Sequence, residues 1–449
     1  MGAGKSTIGQ EVARLSGRPF VDLDREIERR HGSVAELFAR GEAEFRRVEE
    51  GLAAEVLASS TSAVIALGGG AVLSKRTREL LVTDAFTLWV DVDLGDAWER
   101  VRDSARPLAR DEAQFRRLFD ERRPLYEEAS AGLVDSAEDV LLEALQIDVE
   151  RGLLAELGNR LGERLEAVAV IGDDHVLELH PLSFDPTSVH RVPRGEAAKT
   201  PAILDRLWNE LGLDRSGTIV GYGGGSTTDV AGLAAATYMR GVRWIAVPTT
   251  LLGQVDAAIG GKTALDLTTG KNLVGAFHYP AGVIVDPDVL ATLSEAQRRE
   301  GMAEVVKTGL LAGRPVWELE DEAMIRACAA FKAAVCLGDP FDQGRRAILN
   351  LGHTFAHALE AAAGYEGLAH GDAVALGLLA ALRLSGRPTD VVEEVLDPHP
   401  VRVDRDRAWA ALGRDKKRGL VLLGDDGAHW DVPVPADDVR RALDELISP

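Results

Sequence analysis

Thr218-Ile219-Val220-Gly221-Tyr222-Gly223-Gly224-Gly225-Ser226-Thr227-Thr228-Asp229 passes from an apolar run into glycines and then into residues a helix accepts. A strand that leads through glycines into a helix gathers backbone N–H groups and the positive end of the helix dipole at one place. That suits a dinucleotide pyrophosphate. The spacing is not GxGxxG, and a tight structural turn would use the same residues. The segment predicts an α/β region, and the chain around it agrees. Apolar runs at 168–171 and 218–220 read as strands in a region that extends to about residue 290. Helical spacing dominates 295–396, and another apolar run lies at 420–423.

Upstream, runs at 20–21, 63–67 and 86–90 read as buried strands, with helical spacing at 25–40 and 113–128. This alternation predicts a parallel sheet with crossover helices. The acidic segment 135–143 marks a join without a Pro/Gly/Ser linker. We expect three domains: an α/β domain at 1–142, a second α/β domain at 143–293 and a mainly helical domain at 294–449.

The composition narrows the function. Among 449 residues, 72 acidic and 51 basic side chains give a net charge of -21, which argues against nucleic acid as a partner. No run approaches the roughly 18 apolar residues of a membrane span. Met1 leads directly into Gly2-Ala3-Gly4-Lys5, without the charged-then-apolar pattern of a signal peptide. Two cysteines cannot build a disulfide framework or a cysteine zinc site. The expectation is a cytoplasmic enzyme acting on small molecules, away from membranes and nucleic acid.

Gly2-Ala3-Gly4-Lys5-Ser6-Thr7 is the second half of a phosphate loop, GxxxxGK[ST]. In such a loop, backbone N–H groups close around phosphate oxygens. The lysine reaches the terminal phosphates, and the serine holds the Mg2+ of MgATP. The motif's first glycine and the strand before it are not in the sequence, and we expect a start site upstream of Met1. Further along come Asp22-Leu23-Asp24, Phe45-Arg46-Arg47-Val48-Glu49-Glu50, Gly68-Gly69-Gly70, Arg106-Pro107-Leu108 and Arg122-Arg123-Pro124-Leu125-Tyr126. In this order and spacing the block, over about residues 2–134, resembles shikimate kinase. The resemblance implies a P-loop kinase domain that binds ATP through Gly2, Ala3, Gly4, Lys5, Ser6, Thr7 and Arg106. It places shikimate on Asp24, Arg46, Gly69 and Arg122, with Lys5 and Asp24 catalytic. The residue chemistry agrees: guanidinium forks pair with carboxylates, and Asp24 can accept a hydroxyl proton.

In the second block, Tyr238-Met239-Arg240-Gly241 precedes Val247-Pro248-Thr249-Thr250-Leu251-Leu252. Then follow Gln254-Val255-Asp256, Gly260-Gly261-Lys262-Thr263 and Gly270-Lys271-Asn272. From about residue 146 to the end the chain resembles 3-dehydroquinate synthase. The resemblance implies NAD held by Glu196, Lys199, Gly224, Gly225, Asp229, Thr249 and Thr250, with Lys262 and Lys271 toward the nicotinamide. It implies heptulosonate phosphate bound by Asp256, Lys262, Asn272, Lys307, Arg346, Asn350, His357 and Lys416, of which Lys262, Lys307 and His357 are catalytic. Arg240 would reach a neighbouring subunit's site, so a homodimer is expected.

His353 and His357 are four apart and share a helical face. No glutamate adjoins His353, so this is not HExxH. One carboxylate and two imidazoles would suit a catalytic zinc. The resemblance assigns Zn2+ (or Co2+) to Glu304, His353 and His370 and leaves His357 for substrate phosphate. The chain departs from the family at Asp339-Pro340-Phe341-Asp342, where an acidic pair is usual before Arg346, and in a shorter stretch after Lys416-Lys417. The expected function is twofold. One half converts 3-deoxy-D-arabino-heptulosonate 7-phosphate to 3-dehydroquinate and phosphate with NAD and metal. The other phosphorylates shikimate with MgATP. The alternatives are a related sugar-phosphate cyclase or alcohol dehydrogenase, or a first block that is not catalytic.

Overall fold

Gly2 and Gly4 take φ of 76° and 84°, in the left-handed region that favours glycine, and Gly4 leads into the helix Lys5–Ser16. Residues 2–59, 62–102, 111–161, 167–364, 367–415 and 419–448 are described in this computed structural model. Arg106 and Lys416 lie outside them. The chain divides into two compact units, Met1–Ala144 and Leu145–Pro449.

In the first unit, β1 (Phe20–Asp22) pairs in parallel with β2 (Val64–Ala66), and β3 (Leu88–Val90) in parallel with β4 (Gly132–Val134). The pairing is parallel as expected, but among the described residues it forms two separate two-stranded ladders. The helical spacing at 25–40 resolves into Leu23–His31 and Val34–Arg40. The break falls at Gly32 (φ 90°), and Ser33 opens the next helix with a capping box to Glu36. The stretch at 113–128 is one helix, Glu112–Ala129, even with Pro124 inside. The acidic join contains a short helix, Ala137–Ala144. Leu23, Ile27, Leu37, Phe45, Leu52 and Val56 form a core between the first helices.

The second unit centres on a six-stranded sheet of β5 (Ile147–Val149), β6 (Val168–Asp173), β7 (Ser188–Val192), β8 (Thr218–Gly223), β9 (Arg243–Pro248) and β12 (Gly282–Val285). The order is β5-β12-β9-β8-β6-β7, and every pairing is parallel. β6 and β8 are buried along their whole length, as strands covered on both faces must be. A hairpin of β10 (Lys262–Leu267) and β11 (Gly270–Phe277) packs separately. β10 buries Thr263 and Leu265, whereas β11 leaves Leu273, Val274 and Phe277 exposed.

After residue 294 helices dominate: Glu295–Ala312, Asp321–Gly338, His353–Ala362, His370–Leu384 and Asp390–Leu396. Gly352 allows two of these to touch. A Cβ there would stand 2.8 Å from the Leu378 backbone nitrogen. The apolar run at 420–423 falls in β13 (Leu420–Gly424), paired with β14 (Gly427–Val432).

Candidate active sites

The first unit gathers its polar groups around two turns. The Ser6 hydroxyl donates to Asp22 Oδ2 at 2.6 Å, while Asp22 Oδ1 accepts the backbone N–H groups of Asp24 and Arg25. Asp22 thus joins the phosphate-loop helix to the helix that carries Asp24. Sequence reasoning quoted Asp22 without giving it a part. At the second turn, Gly69 O accepts from Arg122 Nη1 at 3.3 Å and from the Tyr126 hydroxyl at 2.6 Å. Arg46 Nη1 donates to Glu49 Oε2 at 2.5 Å. A Cβ on Gly68 would stand 2.8 Å from both Asp24 Oδ1 and Glu49 Oε1, so both carboxylates reach this turn. Asp24, Arg46, Gly69 and Arg122 therefore share one place, with Glu49 and Tyr126 as added members. Burial pushes the Glu49 carboxyl up, and Arg46 opposes the shift.

In the second unit, β8 ends at Gly223, whose carbonyl accepts the Thr249 N–H at 2.9 Å. The helix Gly225–Thr237 then begins, and a Cβ on Gly225 would meet Ala257 Cβ at 2.9 Å. The helix start thus packs closely against the neighbouring turn Gly253–Ala257. A cleft of about 1100 Å3 opens here. Glu196, Lys199, Gly224, Gly225, Asp229, Thr249, Thr250, Lys271 and Asn272 line one part of it, and His357, Glu360 and His370 another. The Lys199 ammonium donates to Asp229 Oδ2 at 2.8 Å and to Asn272 Oδ1 at 2.5 Å. Burial pushes Lys199 down, but Asp229 and Glu196 outweigh it and hold the amine above its ordinary value.

Glu304, His353 and His370 each bring one ligand-type atom to within 4.8 Å of the others. Glu304 Oε1 stands 3.3 Å from His353 Nε2 and 3.5 Å from His370 Nε2. The other ring nitrogens are engaged: His353 Nδ1 lies 3.3 Å from Leu351 O and His370 Nδ1 lies 3.2 Å from Glu360 Oε1. Metal-bound histidines are usually oriented by such contacts, so the donor set fits a divalent cation. Glu304 is buried, and neither of its oxygens accepts a well-directed hydrogen bond. A cation held with the two imidazoles would satisfy Oε1, while Lys307 faces Oε2. Burial pushes the Glu304 carboxyl up, but Lys307 and His353 hold it well below the usual carboxylate range. His357 stands one turn on, its ring centroid 5.6 Å from that of His353.

Lys307 stands against this cluster, and a chain of paired cations and carboxylates leads on from it. Lys307 Nζ pairs with Glu304 Oε2 and lies 3.9 Å from Asp256 Oδ1, and Lys332 Nζ lies 2.8 Å from the same Asp256 oxygen. Lys332, on the alanine-rich helix Asp321–Gly338, carried no signal in the sequence. Lys262 Nζ donates to Asp342 Oδ2 at 2.7 Å, and Asp339 accepts the N–H groups of Gln343, Gly344 and Arg346. The two acids at the departure from the family pattern therefore differ in use. Arg346 is buried and donates to Gly260 O at 2.9 Å and Pro340 O at 3.1 Å. Gly260 permits this approach, since a Cβ there would stand 2.5 Å from Arg346 Nη2. Asn350 ends the 3-10 helix Arg345–Asn350 just before the metal-type helix. Arg240 is exposed, with φ 66°, and is not among the residues lining the cleft.

Replacing Lys307 with methionine would leave Glu304 buried without its nearest cation. The expected cost to the metal-stripped protein is about 3–5 kcal/mol, read from urea unfolding. An unchanged transition would show that the pair contributes nothing to stability.

Comparisons with known proteins match this division. The shikimate kinase family profile matches residues 1–147. The profiles for the 3-dehydroquinate synthase N-terminal and C-terminal domains match residues 189–300 and 301–402. The bifunctional shikimate kinase/3-dehydroquinate synthase of Thermotoga maritima is 36% identical over 408 residues, covering 84% of this chain and 82% of its own. Among solved structures, 2-deoxy-scyllo-inosose synthase complexed with carbaglucose-6-phosphate, NAD+ and Co2+ superposes with a TM-score of 0.61. It is 27% identical and covers 67% of this chain and 96% of its own. The 2-epi-5-epi-valiolone synthase of Streptomyces hygroscopicus with NAD+ and Zn2+ gives 0.56 at the same identity and the same two coverages. With both halves matched in order and one relative spanning most of the two together, this chain belongs to the bifunctional shikimate kinase/3-dehydroquinate synthase family.

Proposed function

We propose that the second unit converts 3-deoxy-D-arabino-heptulosonate 7-phosphate to 3-dehydroquinate and phosphate, and that the first phosphorylates shikimate with MgATP. The observation that carries the synthase reading is a single cleft lined both by a glycine-opened helix N-terminus and by His370, whose ring stands with His353 and Glu304 in the metal-type cluster. Gly224, Gly225 and Asp229 would hold the dinucleotide, with Thr249 and Thr250 beside them. When bound, the dinucleotide supplies a reversible oxidant and the cation Lewis acidity, so no net redox change results. Lys262, Lys307 and Lys332 would supply positive charge for the phosphate and carboxylate of the substrate, and His357, which lines the cleft, would add a phosphate contact. Asp256, gripped by Lys307 and Lys332, keeps that charge in place before substrate arrives.

In the first unit, Lys5 and the N-terminal end of its helix would face the transferred phosphate, and Ser6 with Asp22 the Mg2+. Arg46 and Arg122 would pair with the shikimate carboxylate, and Asp24 would accept the hydroxyl proton. Arg240 is exposed and not among the residues lining its own cleft, which leaves it open to serve the site of a second copy in a homodimer. Two buried free thiols, Cys328 and Cys336, suit a reducing cytoplasm. No helix among the described residues is long and apolar enough to cross a membrane.

The test is phosphate release from the heptulosonate phosphate with NAD+ and Zn2+, followed together with absorbance of reduced cofactor. The expected result is release that needs both additions, without accumulating NADH. Steady NADH production with a polyol would instead identify a dehydrogenase. Turnover with another sugar phosphate but not this one would identify a different cyclase.

A further inference from the structure

The β10–β11 hairpin carries Lys262 at one end and Lys271 and Asn272 near its tip. Its placement decides what those groups can reach. Two hydrogen bonds tie the tip to Lys199, a third closes the tip on itself, and a fourth joins Lys199 to Asp229. Lys199 Nζ donates to Asn272 Oδ1 at 2.5 Å and, on its other side, to Asp229 Oδ2 at 2.8 Å. Asp266 Oδ1 accepts the Asn272 N–H at 2.7 Å, and the Asp266 N–H donates to Lys199 O at 2.8 Å. Asn272 has φ 56°, a left-handed conformation that a non-glycine residue keeps only when its surroundings fix it. The Lys199 side chain is 4% exposed, so it works from inside the fold. The strand it restrains is otherwise open to solvent from 272 to 275.

We propose that Lys199 and Asp266 form a latch that positions Lys271 and Asn272 of the hairpin tip at the cleft. Lys199 then acts as a positioning residue for substrate, beyond any contact with cofactor. Asp229 lies in the helix that begins after Gly224, so the latch also fastens the substrate hairpin to the dinucleotide-binding helix. Occupancy of one would favour order in the other, and binding at the two would be coupled. The inference rests on the cleft being the NAD and substrate site.

The experiment compares the full chain with Asp266→Ala and Lys199→Met. It measures hydrogen exchange over residues 262–277, NAD+ affinity, and KM and kcat for the heptulosonate phosphate at saturating NAD+. Asp266 does not line the cleft. Its alanine variant is nevertheless expected to exchange about 10-fold faster at the tip and to raise KM about 10-fold, with kcat changed much less. Unchanged exchange and KM in that variant would overturn the latch. So would a Lys199→Met variant that weakens NAD+ alone. If Lys199→Met does not fold, Asp266→Ala decides. Failure of the unmodified chain to bind NAD+ would sink the proposed function instead, while exchange would still judge the latch.

Discussion

The His353→Ala chain is expected to release phosphate from the heptulosonate phosphate at least about 10³-fold more slowly than its parent, and to retain little zinc. The imidazole sits 3.3 Å from Glu304 Oε1, and its second nitrogen is turned to the Leu351 carbonyl. Removing it leaves one carboxylate and one imidazole, too few donors for a catalytic zinc that needs three. Glu304 then remains buried beside Lys307, which satisfies its charge and further disfavours an incoming cation. Shikimate phosphorylation should continue at the parental rate, because Lys5, Asp24 and Arg46 belong to the other compact unit. Metal analysis and both turnover assays on one preparation give the answer. Zinc content and synthase turnover that both survive would place the metal elsewhere.

The converse result is expected of Lys5→Ala. Shikimate-dependent ADP formation should fall by about 10²–10³-fold, the usual loss when one charge-stabilising group is removed from a phosphoryl-transfer site. Phosphate release by the second unit should be unaffected. Lys5 opens the helix Lys5–Ser16 directly after the left-handed Gly4, so its position is fixed by backbone geometry. A secondary loss through misfolding is separable, because the Ser6–Asp22 hydrogen bond and the Asp22 cap do not involve the lysine side chain. Undiminished ADP formation would falsify the phosphate-loop assignment.

What the sequence made legible was local chemistry. Gly4-Lys5-Ser6 reads as a glycine turn opening a helix, which the structure has, because glycine conformation and helix start are encoded within a few residues. His353 and His357 announce a shared face because helical spacing is a local rule. The strands at 168–171 and 218–220 were readable from their apolar runs, which in the structure are buried on both faces. Groups whose meaning depends on a distant partner were not readable. Lys332 sits among alanines, and only the fold brings it to Asp256, 76 residues earlier in the chain. Asp342 gains its place through a left-handed turn and a contact with Lys262 across 80 residues. The hairpin was missed altogether, since β11 alternates too weakly to mark a face. The separate ladders of the first unit could not be foreseen either, because apolar runs reveal strands but not which strands pair.

The exposed outer strand of the hairpin also bears on how the protein behaves at high concentration. Residues 272–277, Asn-Leu-Val-Gly-Ala-Phe, contain no charge and no proline. Leu273, Val274 and Phe277 are exposed along a strand that, among the described residues, pairs only with β10. Uncharged, apolar edge strands template non-native pairing between molecules, and lysine or proline on the edge is the common protection. Here the nearest lysine, Lys271, stands just outside the segment. Storage losses, precipitation on warming and the onset of thioflavin-positive material should therefore trace to this six-residue stretch. A single lysine at Val274 would be the economical remedy for anyone preparing the protein in quantity.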